Sequence, residues 1–322
     1  MKKPYLDLNS YFRSVFGCRV QKIAVDASMN CPNRDGTLST GGCIYCNERG
    51  SGTGAHAAGL SVKDQLLAGK AALFRRYKAK KFIAYFQSYS NTYAPLSRLR
   101  GLYDESLAVS DIVGLSIGTR PDCVDDKKLD LLKEYAQNNM VWVEYGLQSA
   151  NDETLARINR GHDLNCFLQA VSDTRKRGVL TCAHVILGLP GETRADMLHT
   201  ADVLARTGID GVKLHFMYVV RGTVLDKWYG SGRYGCLSRE EYVDAVCEFI
   251  ARLPDTVVIQ RLIGDPHKDE LVAPAWALEK AKIFELIKKK FVEKGLCQGQ
   301  YAPPELNIKK HPGRSKKIGP GA

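Results

Sequence analysis

Three cysteines within one short segment are the residues best suited to chemistry in this sequence. Cys31, Cys43 and Cys46 have the spacing Cys-x11-Cys-x2-Cys, and Tyr45 directly precedes the last of them. An iron–sulfur cluster held by three thiolates keeps one iron free for a further ligand. Glycines let the backbone wrap closely around a bulky inorganic core, and they stand at positions 41, 42, 50, 52 and 54. The spacing therefore predicts a metal centre with an open coordination position.

Zinc is the alternative interpretation of the same three cysteines. His56 would then be the fourth ligand, with nine residues between it and Cys46, and structural zinc sites use similar spacing. This alternative predicts a non-enzymatic RNA-binding protein. It gives no role to the polar loops that follow the other predicted strands, which counts against it.

Composition predicts a globular protein of a reducing compartment. The chain has 322 residues with 44% hydrophobic content, enough for a sizeable core. Ten scattered cysteines behind a non-apolar N-terminus indicate a cytoplasmic location. No apolar run approaches a membrane span, so no membrane partner is expected. The net charge of +11 suits a polyanion such as RNA, and part of it lies in four basic runs at 75–81, 175–177, 288–290 and 309–317.

Strand-like and helix-like segments alternate from Ile23 to about Val220. Six such units in series predict parallel strands joined by helices, hence an α/β fold with a partial (β/α)6 TIM-like barrel. A doubly wound open sheet is the competing arrangement. Beyond residue 222 the pattern changes and predicts an appended C-terminal α/β layer. We therefore predict an N-terminal extension, the core, the appended layer and a basic disordered tail at 1–19, 20–222, 223–307 and 308–322.

The predicted strand ends carry polar residues that could face a ligand, because chemistry in such folds lies at the carboxyl ends of the strands. Strand two is followed by a run of amides and hydroxyls beginning with Gln87. Strand three is followed by Arg120, a candidate clamp for a carboxylate or phosphate. Strand four contains Glu144 in an apolar run, where a carboxylate is costly to bury unless paired. We expect Glu144 to face the barrel interior and a ligand.

Strands five and six add further candidates. His184 lies in strand five, and the glycine turn that starts at Gly188 would allow close backbone approach to a flat group. Lys213 and His215 are two positions apart in strand six and therefore share one face. Cys123, on a predicted loop, is a candidate second catalytic group.

The chain resembles the radical S-adenosylmethionine enzymes, and within them the bacterial group related to the Elongator protein 3 core and to coproporphyrinogen dehydrogenase. The resemblance runs from about Val20 to Lys294. It is carried by the order and spacing of four motifs, namely Cys31-x11-Cys43-Ile-Tyr-Cys46, Gly118-Thr-Arg-Pro-Asp122, Gly146-Leu-Gln148 with Asn159-Arg160, and Val185-Ile-Leu-Gly-Leu-Pro-Gly-Glu192.

The resemblance implies a [4Fe–4S] cluster on the three cysteines and S-adenosylmethionine on its open iron. It also implies reductive cleavage to a 5′-deoxyadenosyl radical and an electron donor such as flavodoxin or ferredoxin. Gln148 and Arg160 match positions that contact the cofactor in the porphyrinogen enzyme, and His184 matches the strand-five position. The usual glycine-rich turn after strand two is replaced by the segment from Gln87 to Thr92, so Glu144 is a candidate for one of its contacts.

The resemblance and the charge together suggest a tRNA base, with the wobble uridine as the specific hypothesis. A small metabolite such as a tetrapyrrole is the alternative substrate for the same chemistry. The sequence shows no acetyltransferase segment after the barrel, so we do not expect the full Elongator reaction on acetyl-coenzyme A.

Overall fold

A seven-stranded parallel sheet forms the centre of the computed structural model, which describes residues 3–47 and 59–307. The strands run in the order β1, β2, β3, β4, β5, β6 and β8, while β7 and β9 form a separate antiparallel pair. In chain order the strands are β1 Val20–Val25, β2 Lys81–Phe86, β3 Ile112–Thr119, β4 Met140–Gln148, β5 Leu180–Leu187, β6 Gly211–Phe216, β7 Val219–Val220, β8 Val258–Arg261 and β9 Leu271–Ala273.

Helices follow the strands of the sheet as connecting elements. Two short 3-10 turns, Pro121–Cys123 and Ala275–Leu278, complete the regular structure. The helices are α1 Leu8–Phe16, α2 Val62–Tyr77, α3 Leu96–Leu107, α4 Asp126–Ala136, α5 Asp152–Arg157, α6 Leu164–Lys176, α7 Arg194–Thr207, α8 Val224–Gly230, α9 Arg239–Arg252, α10 Lys280–Glu293 and α11 Pro304–Asn307.

Sequential strand order decides between the two arrangements that the sequence allowed. A doubly wound sheet reverses its strand order at a switch point, whereas here the sheet proceeds in one direction from β1 to β8. Across the gap between those edge strands, Lys22 Nζ donates to Gln260 Oε1 at 2.6 Å. The sheet is therefore a curled partial barrel, as predicted. A seventh parallel strand, β8, extends it from within the segment 223–307.

The N-terminal helix closes the amino-terminal end of this barrel. Helix α1 packs against both edge strands, and the preceding Leu6 accepts a hydrogen bond from Ile259 N at 2.8 Å. Phe12 of α1 is buried with Trp142 and other apolar side chains at this end of the interior. Apolar packing thus seals the end opposite the carboxyl ends of the strands.

Side-chain caps fix the helix starts that the sequence predicted. Asn151 accepts from two backbone amides at the start of α5, and Asp163 caps α6. Ser238 and Glu241 form a capping box at the start of α9. Because each cap satisfies amides that have no partner within the helix, the caps locate helix starts that hydrophobic periodicity alone leaves uncertain.

Two further predictions concern a membrane span and the division of the chain into segments. In residues 3–47 and 59–307, no helix combines the length and apolar character needed to cross a bilayer. The division into four segments stays a prediction, and its basic tail, 308–322, lies outside the described residues.

Candidate active site

The cysteine loop leaves β1 at its carboxyl end and lies against the segment that follows α5. Ile44 N donates to Ile158 O at 3.1 Å, which fixes the loop beside Arg160. Two asparagines strengthen this contact reciprocally. Asn33 Nδ2 donates to Asn159 O at 2.6 Å, and Asn159 Nδ2 donates to Gly42 O at 2.7 Å. The structure thereby brings together two motifs that are more than one hundred positions apart in the chain.

Arg160 links the cysteine loop to the end of β4. Its side chain is buried, with Nη1 3.6 Å from Cys43 Sγ and with Nε and Nη2 donating to Gly146 O at 3.1 and 2.7 Å. A Cβ at Gly146 would lie 2.6 Å from Arg160 Nη2. Glycine at this position is therefore required for the guanidinium to reach the cysteine.

The sulfur of Cys43 faces two donors, which suits a thiolate. Besides Arg160, Asn33 Nδ2 lies 3.7 Å from Cys43 Sγ. Burial, and then the negative charge of Cys43, raises the pKa of Cys46 to about 11. Thiols that resist ionisation in this way lose their protons on binding metal, since a metal ion takes up the thiolate directly.

The residues present fit a [4Fe–4S] cluster. Within residues 3–47 and 59–307, no three His, Cys, Asp or Glu side chains converge as around a single metal ion. The cysteines of a [4Fe–4S] cluster each bind a different iron and need not converge on one point. A cavity of about 440 Å³ lined by Cys43 and Cys46 opens beside them. Cys31, Cys43 and Cys46 would hold the cluster, and donors to a sulfur, as on Cys43, tune such clusters.

Gln148 ends β4 in a strained conformation beside Arg160. Its φ is 77°, in the left-handed region, and the pairing of β4 with β5 shifts register between Gly146 and Gln148. A Cβ at Gly146 would also lie 2.8 Å from Gln148 Nε2. Backbone strain of this kind persists where the surroundings hold a residue for function. Gln148 and Arg160 therefore lie together at the mouth, where the sequence analysis expected a cofactor contact.

We expect Gln148→Gly to stabilise the protein and to weaken cofactor binding. Glycine adopts positive φ without penalty, so the free energy of unfolding should rise by about 1 kcal/mol. The variant loses the amide that lies beside Arg160, so affinity for S-adenosylmethionine should fall. Urea unfolding and S-adenosylmethionine titration of the reconstituted protein measure the two effects. Leu147→Val, a buried neighbour without a polar group, is the control. Unchanged affinity in Gln148→Gly would contradict the assignment.

Arg120 is less free to clamp a ligand than its position in the sequence suggested. It is 2% exposed, and two of its nitrogens donate to Asp122 at 2.8 and 2.6 Å. Of the three nitrogens of the guanidinium, Nη1 is the one without a hydrogen-bond partner among the described residues. The guanidinium therefore positions its own turn, and Nη2, which is bonded to Asp122, lies 3.2 Å from where a Cβ at Gly161 would be.

Gly188 and Cys123 are both enclosed by protein. A Cβ at Gly188 would lie 2.7 Å from Leu237 Cγ, and Tyr234 OH donates to Gly188 O at 2.8 Å. The group that packs closely against this glycine is thus the side chain of Leu237, where the sequence predicted a flat ligand. Cys123 is buried, and burial, with the charge of Asp122, raises its pKa to about 12. It is held as a neutral thiol, and its role as a second catalytic group stays a prediction.

Glu144 and His184 lie deeper in the barrel, away from the cysteine loop. Glu144 precedes Gln148 by four residues of strand, about 13 Å. His184 Nε2 lies 2.7 Å from Glu144 Oε2, Lys22 Nζ lies 2.6 Å from Glu144 Oε1, and Lys213 also contacts the carboxylate. The carboxylate of Glu144, which was predicted to contact the cofactor, is thus bound by lysines of the protein itself. Lys213 faces the interior, and His215 lies there too, with its ring centroid 5.8 Å from that of His184.

Burial governs the charges of this interior cluster. Burial alone would raise the pKa of Glu144, but Lys213 and Lys22 hold it well below its usual range. Burial lowers the pKa of Lys213 to about 7 and that of His184 to about 4, although Glu144 opposes both shifts. Glu144 is therefore ionised and His184 neutral at neutral pH.

Several residues of the site were not predicted from the sequence. Lys22, a lysine within an apolar strand, was the one detectable signal, since alternation places it on the interior face with Ala24. Asn33 gave no signal and Asn159 was noted only as part of a motif with Arg160, because the pairing of the two asparagines exists only in the folded chain. Gln87 lines an interior cavity with Lys22 and Lys213. His56, the alternative zinc ligand, lies outside the described residues.

Comparison with known proteins decides the family. Residues 33–204 match the radical SAM superfamily, and residues 209–293 match the radical SAM C-terminal domain. The chain belongs to the radical SAM superfamily. It is therefore an enzyme of the class that uses a [4Fe–4S] cluster and S-adenosylmethionine, and the zinc alternative is wrong. The radical SAM chain is 38% identical over 300 residues to the uncharacterized protein YtqA of Bacillus subtilis, covering 93% of each.

Two further similarities bear on the group within the superfamily. The radical SAM chain is 29% identical over 156 residues to the tRNA uridine(34) acetyltransferase of Dehalococcoides mccartyi. The aligned segment covers 48% of this chain and 33% of the relative. Its fold matches the structure of archaeal Methanocaldococcus infernus Elp3 with a TM-score of 0.68 at 18% identity, covering 87% of this chain and 64% of that one. The predicted resemblance to the Elongator protein 3 group is confirmed.

Proposed function

We propose that this radical SAM enzyme modifies the wobble uridine of tRNA. The observation that carries the proposal is the similarity of 156 residues to a tRNA uridine(34) acetyltransferase. Because the chain spans about a third of that relative, the proposal concerns the radical step and not acetyl transfer. The net charge of +11 adds support, since phosphate contacts dominate nucleic-acid binding.

The described residues divide the work at the mouth of the barrel. Cys31, Cys43 and Cys46 would hold the cluster, while Arg160 and Gln148 orient S-adenosylmethionine against it. A bound and reduced cluster would supply the electron for reductive cleavage of S-adenosylmethionine, the source of a 5′-deoxyadenosyl radical for hydrogen abstraction. Flavodoxin or ferredoxin is the proposed electron donor. Buried apolar side chains pack together at the other end of the barrel.

The surface that would meet tRNA differs from the one that the basic runs suggested. Run 75–81 ends α2 and leads into β2, and run 175–177 ends α6 shortly before β5. Both therefore lie at the amino ends of the strands, opposite the cysteines. Lys176 and Arg177 are moreover paired with aspartates. These runs do not reach a base that enters the mouth.

A basic and aromatic surface lies beside the cysteine loop instead. Leu225 N, in α8, donates to Ile44 O at 2.9 Å, which fixes α8 against the loop. Arg221 lines the cavity that contains Cys43 and Cys46. On the same segment Arg233 stacks 4.4 Å from the ring of Trp228, and Tyr229 is 40% exposed. Cations bind phosphates and aromatic rings stack on unpaired bases, so this surface suits tRNA.

Nucleoside analysis tests the proposed substrate. Mass spectrometry of tRNA from a deletion strain should show loss of one modified uridine, restored by the intact gene and not by a Cys46→Ala copy. A profile unchanged across growth conditions would refute tRNA as the substrate. A small metabolite such as a tetrapyrrole would then be the remaining candidate for the same chemistry.

We expect Arg221→Gln to weaken tRNA binding. Loss of one phosphate contact should reduce the slope of log affinity against log salt by about 1, as measured by filter binding in a salt series. Arg75→Gln removes an equally exposed arginine at the opposite end of the barrel and serves as the matched control. Equal loss in both variants would show that binding is not centred on the mouth.

A further inference from the structure

The barrel contains a second cavity that the radical step does not account for. It has a volume of about 300 Å³ and lies in the gap between β1 and β8. Helix α1 contributes Leu8 and Phe12 to its wall, and Gln87 lies on the wall at the carboxyl end of β2. The cavity therefore reaches from the closed end of the barrel toward the mouth.

A β-bulge turns two consecutive side chains of β8 toward this cavity. Strand β8 pairs Ile259 with Val212 and then Arg261 with Lys213, so Gln260 is the extra residue. Without the bulge, alternation would send Arg261 to the outer face of the sheet. The bulge puts Arg261 in register with the inward-facing Lys213, and both Gln260 and Arg261 line the cavity. Bulges commonly re-aim side chains in this way next to functional sites.

The cavity wall carries more positive charge than the carboxylates of the described residues neutralise. Glu144 is the carboxylate that the described lysines of the interior contact, and it is shared between Lys22 and Lys213. Arg261 forms no ion pair or hydrogen bond with any residue in 3–47 or 59–307. The two positive charges of Lys22 and Arg261 exceed the single negative charge of Glu144, even when Lys213 is neutral.

Unused hydrogen-bond donors point to the same conclusion. Gln260 accepts from Lys22 through Oε1, which leaves its Nε2 as the free end of the amide. That buried Nε2 has no hydrogen-bond partner among the described residues. Gln260 Nε2 is packed against protein, 2.9 Å from where a Cβ at Gly211 would lie, whereas the guanidinium of Arg261, which is a donor only, lines the cavity. Unpaired buried donors are costly, and a ligand that accepts hydrogen bonds would remove that cost.

We propose that this cavity binds a compact anion, a carboxylate or a phosphate, held by Arg261 with Lys22 beside it. The anion belongs to the substrate or to a co-substrate that enters the barrel beneath the mouth. In this respect the inference rests on the proposed function. The guanidinium offers two parallel N–H groups, the geometry that matches the paired oxygens of either anion.

Anion titration of the full-length, anaerobically reconstituted enzyme tests the site without any turnover. Saturating S-adenosylmethionine fills the cofactor position first, so its carboxylate subsite does not contribute. The melting temperature is then followed against inorganic phosphate in one arm and against acetate in the other, with chloride keeping ionic strength constant. We expect a saturable rise in one arm, which identifies the anion class. No saturable rise in either arm overturns the proposal.

Arg261→Gln supplies the decisive comparison. Because Arg261 has no partner among the described residues, its loss should leave the fold intact while weakening anion affinity about tenfold or more. Arg261→Lys should recover part of the affinity, and Arg75→Gln should bind as the unaltered chain does. Equal binding by Arg261→Gln would overturn the proposal. The result is independent of tRNA: unchanged tRNA nucleosides would refute the wobble-uridine assignment and leave anion binding as measured here.

Discussion

Replacing Cys43 by alanine is expected to abolish the [4Fe–4S] cluster and, with it, cleavage of S-adenosylmethionine. Cys43 would supply one of three thiolates, and its sulfur is the one that Arg160 and Asn33 face at 3.6 and 3.7 Å. A cluster with two protein thiolates lacks a third anchor, so the loss should be complete. Iron and sulfide content, visible absorbance and 5′-deoxyadenosine formation after anaerobic reconstitution measure it.

Cys297→Ala is the matched control for this experiment. Cys297 is an exposed free cysteine outside the loop, so its removal should leave both the brown colour and the cleavage reaction unaltered. Cys31→Ala and Cys46→Ala should behave like Cys43→Ala. A Cys43→Ala protein that keeps a full complement of iron and sulfide would show that the ligand assignment is wrong.

The second large effect is expected on stability, from Glu144→Gln. The carboxylate is fully buried among Lys22, Lys213 and His184. Removing one partner of a buried ion pair leaves uncompensated charge in the interior and costs about 3–5 kcal/mol. We therefore expect the free energy of unfolding to fall by about that amount in urea denaturation at neutral pH. A loss below about 1 kcal/mol would show that the cluster is hydrated rather than buried.

Two further variants test whether the loss of stability in Glu144→Gln comes from the buried ion cluster or from the loss of any negative charge. Glu134→Gln breaks an exposed pair with Arg100 and should cost less than about 1 kcal/mol. Adding Lys213→Met to Glu144→Gln should recover part of the stability, because the double variant no longer buries an unpaired ammonium. Full additivity of the two changes would contradict direct coupling between them.

The same carboxylate gives an expected pH dependence. Lys213 and Lys22 hold the pKa of Glu144 well below its usual range against the effect of burial. Its stabilising contribution is therefore complete above the unfolded value of about 4.3 and is lost as pH falls through the lower folded value. Denaturation measured down this range should show a steeper loss for the unaltered chain than for Glu144→Gln.

The barrel could be predicted from the sequence because its information is local. Each strand shows as a short apolar run, and caps such as Asn151 and Asp163 mark helix starts at fixed spacing. Parallel strands joined by helices leave few ways to arrange them. The cysteine spacing is local as well and predicted a metal centre, while the family followed from the order and spacing of four motifs taken together.

The roles of single strand-end residues were harder to predict, because each depends on contacts from elsewhere. Arg120 looked free for a ligand, yet its guanidinium is bound by Asp122. Gly188 looked open, yet Leu237 of a later segment packs against it. Glu144 was expected to face the barrel interior and a ligand; it does face the interior, but its carboxylate is contacted by Lys22, which lies 122 positions away.

The sequence by itself determined the cysteine spacing, the six alternating units and the excess of positive charge. The tertiary structure alone decided where that charge lies: the basic runs 75–81 and 175–177 fall at the amino ends of the strands, while a bulge in β8 aims Arg261 into the barrel. The reason is physical. Periodicity and capping act within a few residues, whereas the charge that surrounds a buried group is the sum of strands brought together by folding.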